Sequence, residues 1–341
     1  MEINTILRIS FYLRTAPFSL ARHLLFALFL LSPWGNYVSG QENKEVKIRL
    51  TNPSNKTLIE IDLPGPPELL SPKKKTLLIF FALPNGNSIE WTRGKQIQSI
   101  DDWHYDIQHI AAQTRYLRKV MSDRNVIVAY MANELKSWPA WKKQQPNGPA
   151  EIKRIVDSVT GIFERYKPDV VLNSHSGGGS FIFGYLDAVD RIPAQITRIA
   201  FIDSDYGYED SLHTKKLADW LSSSKKHFLN VLAYNDSVVI FNGKPLVSPT
   251  GGTWYRTKLM QRKLEESFRF TYQADTSLIH YTALSKRVDI YLKTNNEGKI
   301  YHTEQVARNG FIHTILSGTH YQKKANYVYW GERVYTDWIL P

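Results

Sequence analysis

The chain predicts a mixed α/β fold built on one mostly parallel, doubly wound sheet with an N-terminal antiparallel hairpin, and three observations carry that reading. From Glu45 onward, short β-branched runs alternate with stretches of helical periodicity. Such repetition implies parallel strands with helices on both faces. Several strand runs are continuously apolar, as strands covered on both sides are. Ahead of them, two segments alternate with period two around a turn, which is the pattern of an antiparallel hairpin. With 341 residues, 43% of them hydrophobic and 13% aromatic, the chain has the apolar surface to offset the ordering entropy of a core. No repeat or low-complexity linker divides residues 41–341, so a single domain is expected there.

The hairpin pairs Val46–Leu50 with Leu58–Leu63 around Asn52-Pro53-Ser54-Asn55. The buried strand Thr76–Leu83 stops at the turn Pro84-Asn85-Gly86-Asn87. Ile107, Ile110, Ala111, Thr114, Leu117 and Val120 fall on one helical stripe, and Asn125–Tyr130 reads as the next buried strand. An aromatic loop, Trp138-Pro139-Ala140-Trp141, leads to a helix carrying Ile152, Ile155, Val156, Val159 and Ile162, ended by Pro168. Strands at Asp169–Asn173, Arg198–Ile202 and Phe228–Tyr234 alternate with helices near Phe181–Val189 and Leu212–Leu221. An excursion near 237–268 holds Gly243, Pro245, Pro249, Gly251 and Gly252 before a helix at Tyr255–Phe268. A last strand lies within Val288–Leu292, and His313–Leu316 reads as helical.

Residues 1–40 differ from the rest. Arg8, Arg14 and Arg22 precede the run Leu24–Leu31, and Val38-Ser39-Gly40 offers small residues before Gln41, the grammar of a cleaved signal peptide. The apolar run is far shorter than the roughly 20 residues of a bilayer helix, so a secreted or periplasmic protein without a stable membrane span is expected. The net charge of +11 favours acidic surroundings, but the lysine doublets at 142–143, 215–216, 225–226 and 323–324 are scattered among acids and read as solvated faces, not a nucleic-acid footprint. Zero cysteines exclude disulfides, thiolate metal sites and cysteine nucleophiles. His104 and His109 lie about 140° apart on a helix, and no His-Glu-x-x-His occurs, so neither a metal nor a cofactor is expected.

Strand Val170–Asn173 runs straight into Ser174-His175-Ser176-Gly177-Gly178-Gly179 and then a helix. A serine on so sharp a turn needs small residues two positions before and after it, which Ser174 and Gly178 provide around Ser176. The glycines lack the lysine and following hydroxyl residue of a phosphate-cradling loop. The segment resembles the nucleophile elbow of the α/β-hydrolases, usually Gly-x-Ser-x-Gly, with Ser174 in place of the first glycine. The resemblance spans roughly Val46 to Thr319 and implies Ser176 as nucleophile, with an acid and then a histidine later in the chain.

The acid usually follows the strand two places on, which selects Asp236; Asp203 and Asp205, after the intervening strand, are the reserve. The histidine is chosen among His280, His302, His313 and His320. His302 and His280 read as strand interior, whereas His313 follows a turn and opens a helix and is preferred, with His320 the alternative. His175 is too constrained by the elbow to act as base and is expected to pack beside the site. The oxyanion hole is assigned to the amide of Gly177 and to that of Gly86 or Asn87. Trp138, Trp141 and Trp254 are candidates to line a pocket for glycan or aromatic esters.

The leading expectation is therefore a secreted serine esterase acting through an acyl-enzyme on Ser176, on a small-molecule or glycan ester. A peptidase or acyltransferase would use the same residues. The competing class is a non-catalytic binding protein of the cell envelope on the same fold, with a polyanion-binding surface protein as a third option.

Overall fold

The computed structural model describes residues 8–10, 45–52 and 54–341. The predicted leader and its cleavage point after Gly40 lie outside the described residues, apart from the strand Arg8–Ser10. The described residues form thirteen strands, eleven of them in one sheet. These are β1 (Arg8–Ser10), β2 (Val46–Asn52), β3 (Thr57–Leu63), β4 (Lys75–Ala82), β5 (Arg124–Asn133), β6 (Asp169–His175), β7 (Ile196–Ile202), β8 (Phe228–Tyr234), β11 (Thr271–Ala274), β12 (Leu278–Ala283) and β13 (Val288–Lys293). Their order is β1-β2-β3-β5-β4-β6-β7-β8-β13-β12-β11. The six central strands, β5 to β13 in that order, pair in parallel. The β2–β3 hairpin continues the sheet antiparallel on one side, and β12 and β11 do so on the other. The meander β11–β12 is unpredicted except for the strand-like run around His280. β11 is exposed and β12 mostly half-buried, so the pair lacks the apolar signature by which the central strands were found.

Strand β4 shows how the pattern works. All its residues but Lys75 are buried; Leu78, Phe80 and Ala82 enter one core, Leu77, Ile79 and Phe81 the other. On the first face pack α3 (Trp138–Gln144), α4 (Gly148–Ile162), α5 (Gly179–Asp187), α6 (Asp210–Ser223) and α7 (Thr253–Glu265). On the second lie α1 (Ile89–Arg93), α2 (Ile110–Val120) and α9 (Gly310–Leu316), with α8 (Glu304–Ala307) beside it. Among the described residues no helix is long and apolar enough to cross a membrane. The excursion begins with the two-residue strands β9 (Ile240–Phe241) and β10 (Lys244–Pro245), then joins the fold through α7.

The Trp138–Trp141 segment is a helix, not a loop. Ser137 caps it, accepting a bond from the Ala140 amide, and Pro139 sits in its first turn, where its missing N–H costs nothing. Trp138 and Trp141 are 1% and 0% exposed and donate their indole N–H groups to the carbonyls of Met131 (3.1 Å) and Asn55 (2.5 Å). Both are core residues; only Trp254 of the three is half-buried. Trp141→Ala is therefore expected to lower the unfolding free energy by about 3–5 kcal/mol in urea denaturation, and a loss under 1 kcal/mol would contradict this packing.

Candidate active site

The sheet order reverses at β4, which has β5 on one side and β6 on the other. Ligand sites of open α/β sheets gather beyond the carboxyl ends of strands at such a reversal. There β6 ends at His175, and Ser176–Gly178 forms a single tight turn into α5. Ser176 has φ of 55°, the left-handed region a non-glycine residue seldom occupies. The neighbours must be small because the turn presses against β4: a Cβ on Gly178 would stand 2.1 Å from the Ala82 carbonyl oxygen. Ser174 replaces the usual glycine without penalty because its hydroxyl bonds that of Ser204 at 2.7 Å in a fully buried position. Ser176 itself is half-exposed and, among the described residues, makes no side-chain hydrogen bond.

The histidine beside this turn is His302. It lies in the loop between β13 and α8, not in a strand, and its ring stacks on that of His175 at 4.7 Å between centroids. Its Nδ1 bonds the carboxylate of Asp203, which is fully buried at the end of β7. Asp203 is fixed in turn: its amide donates to the Leu232 carbonyl at 2.6 Å, and its other carboxylate oxygen accepts from the Thr253 hydroxyl. His175 supports the pair from below, Nε2 donating to the His302 carbonyl at 3.1 Å. Burial, followed by the neighbouring His302, pushes its pKa well below the ordinary value, so it stays neutral.

His313 is not brought into this group. It is 3% exposed, its Nε2 bonds Asp289 at 2.9 Å, and the Tyr327 hydroxyl approaches its Nδ1 at 3.3 Å. Asp289 also bonds His280 at 2.5 Å. Burial alone would raise the Asp289 pKa, but these two histidines outweigh it and hold the carboxyl well below its usual range. This is a second Asp–His constellation, on the second core face. His320 is exposed at the opposite edge of the sheet.

Asp236, the acid favoured by its position after β8, does not touch His302. It closes the first turn of α7 instead, accepting the Thr253 amide at 2.8 Å, while its Oδ1 lacks a partner. A carboxylate there complements the helix dipole. Burial first, then repulsion from Asp203, raises its pKa to about 6. Asp205, also buried, accepts from the Thr257 hydroxyl at 2.8 Å, and burial together with Asp203 and Asp236 pushes it well above the carboxylate range.

The amides of Gly86 and Asn87 are spent on the Lys136 carbonyl (2.8 Å) and the Pro84 carbonyl (3.4 Å), so neither is free for an oxyanion. The residue before them is beside the turn: the Asn85 side chain lies against Gly177, where a Cβ would come within 2.1 Å of Oδ1 and 2.6 Å of Nδ2. The Gly177 amide stands in the first turn leading into α5, where backbone N–H groups have no intrahelical acceptor. His302, weighed in the sequence and set aside as strand interior, and Asn85, which the sequence reading did not single out, are the residues that the structure brings beside the turn. The turn-forming Asn295-Asn296-Glu297-Gly298 ahead of His302 was the available signal that its strand had already ended.

The strand order, the turn at Ser176 and the helix behind it are those of the α/β-hydrolase fold. Neither a family model nor a curated protein sequence matches the chain. Among solved structures it is similar to a thermostable esterase, at 13% identity and a TM-score of 0.47, covering 80% of this chain and 63% of that one, less than two thirds of its length. It is also similar to the siderophore hydrolase EstB from Aspergillus nidulans, at 12% identity and a TM-score of 0.41 over 81% and 96% of the two chains. An esterase of Pyrococcus furiosus gives 10% identity and a TM-score of 0.40 over 86% and 95%.

The Asp236 carboxyl gives a pH signature. Its pKa in the fold lies above its ordinary 3.8, so the native state binds the extra proton between about 4 and 6 and loses stability as pH rises through that window. The gap corresponds to about 3 kcal/mol. Asp236→Asn should therefore gain stability over the wild type as pH rises from 4 to 6 and hold the gain above 6, in urea titrations at each pH. A difference that does not change with pH would contradict the assignment.

Proposed function

We propose that the chain is a serine hydrolase of carboxylic esters in which Ser176 is the nucleophile, His302 the general base and Asp203 the acid that orients it. The observation that carries the reading is the His302 ring, tied by Nδ1 to a buried carboxylate and stacked on the residue next to Ser176. A serine hydroxyl needs a positioned imidazole to take its proton, and the imidazole needs an acceptor to fix its tautomer. With Nδ1–H given to Asp203, Nε2 is left as the acceptor.

In the first step Ser176 Oγ attacks the ester carbonyl carbon as its proton passes to His302 Nε2. The carbonyl electron pair moves onto oxygen, where the Gly177 amide and the Asn85 side-chain N–H receive it. Collapse breaks the acyl–oxygen bond, and the leaving alkoxide takes the proton from His302. Water, deprotonated by the same nitrogen, then releases the acid and restores Ser176. His313, with both nitrogens engaged, takes no part. The leader grammar of residues 1–40 supports export as the setting.

A short-chain p-nitrophenyl ester tests this. Ser176→Ala and His302→Ala should each lower kcat by at least about 10³-fold, and Asp203→Asn by a similar factor. Asp236→Asn should leave kcat within about tenfold. Equal loss in the two aspartate variants, or turnover indifferent to Ser176, would overturn the assignment. A well-folded wild type without turnover on any ester chain length would favour the binding-protein reading.

Asn85 is separable from the triad. Asn85→Ala should lower kcat by about 10²-fold or more, with KM little changed, as expected of a donor used in the transition state. A change confined to KM would contradict that role.

A further inference from the structure

The edge of the sheet opposite Ser176 holds a cleft of about 590 Å³, a size typical of small-ligand sites. The loops that precede three parallel strands converge on it. The loop before β4 brings Lys73 and Lys74 with Lys75, the turn before β6 brings Lys167, and the turn before β8 brings Lys225 and Lys226. Eight lysine and arginine side chains line the cleft against one carboxylate, Asp169, which Arg124 already pairs at 3.0 Å. Among the described residues, Lys73, Lys75, Lys167, Lys225 and Lys226 form no ion pair.

Arg198 at the start of β7 also lines the cleft, and it is 4% exposed. Its hydrogen-bond partners are neutral: the Asn230 side-chain oxygen and the Ser317 carbonyl at 2.9 Å. The nearest carboxylate acting on it is Asp289, which it does not pair directly; both bond Ser317. Burial pushes the Arg198 pKa down to about 9 although Asp289 opposes the shift. Like charges gathered from separate loops repel one another and offer no packing in return.

We propose that this cleft binds a compact, multiply phosphorylated anion, either free or as the headgroup of a lipid. The site is independent of ester hydrolysis, because the seven residues of β6 place it about 20 Å from Ser176. Tripolyphosphate titrated calorimetrically at low salt should bind saturably, weaken as salt is raised, and be indifferent to Ser176→Ala. Lys225→Glu with Lys226→Glu, both exposed and therefore tolerable to the fold, should weaken binding by about tenfold or more. Lys215→Glu with Lys216→Glu, on the surface of α6, serves as the control and should leave it unchanged. Vesicles containing phosphatidylinositol bisphosphate separate the sources: binding that tripolyphosphate displaces supports the headgroup, and tripolyphosphate binding without vesicle binding supports a free anion. Absence of saturable tripolyphosphate binding, or equal effects of the two double variants, overturns the proposal.

Discussion

The contact between His302 and the buried carboxylate of Asp203 is the constraint on which the proposed chemistry depends. It joins the end of β7 to a loop that follows β13, and nothing local to either segment dictates it. The sheet supplies the geometry: β7 is next to β6, so an acid at its end comes close to the turn bearing Ser176. The Asp203 amide bonds to β8, the Thr253 hydroxyl reaches its carboxylate from α7, and His175 holds the His302 backbone. The imidazole is thus positioned by three elements beyond its own loop, which is how a catalytic side chain is held in one rotamer.

Burial of three aspartates around that contact has an electrostatic cost, and the fold distributes it unevenly. Asp203 has an imidazole partner. Asp236 and Asp205 have backbone and threonine donors but no cation, and both are driven toward their neutral forms. Asp289 lies on the far face with two histidines around it and is driven the other way. An aspartate near a histidine is therefore not sufficient evidence of a triad in this molecule. The constellation at Asp289 has the pairing without a strained serine or an open side. The one at Asp203 stands beside both.

Most of the central architecture is legible in the sequence because β4 to β8 are buried on both faces and their apolar runs report it directly. The elbow is legible for the same reason: the tight turn restricts residue size around Ser176. The acid and the base are less so. Asp236 and Asp203 both follow strands, and only the third dimension shows that one closes a helix while the other meets an imidazole. His302 lies in a short apolar-looking stretch, Ile300-Tyr301-His302, that imitates a strand, although the preceding Asn-Glu-Gly turn had already ended β13. His313 is helical as predicted, although the helix begins three residues earlier at Gly310, and which way a ring points on that helix is a tertiary fact. The tryptophans at 138 and 141 were misread because a short helix with Pro in its first turn has loop-like composition.

The most direct test is the rate and position of labelling by a fluorophosphonate, followed by mass spectrometry of the modified peptide. The account predicts one adduct, on Ser176, formed at least about 10³-fold more slowly in His302→Ala, and at near wild-type rate in a folded His313→Gln. An adduct elsewhere, or a rate that depends on His313 and not on His302, would contradict it.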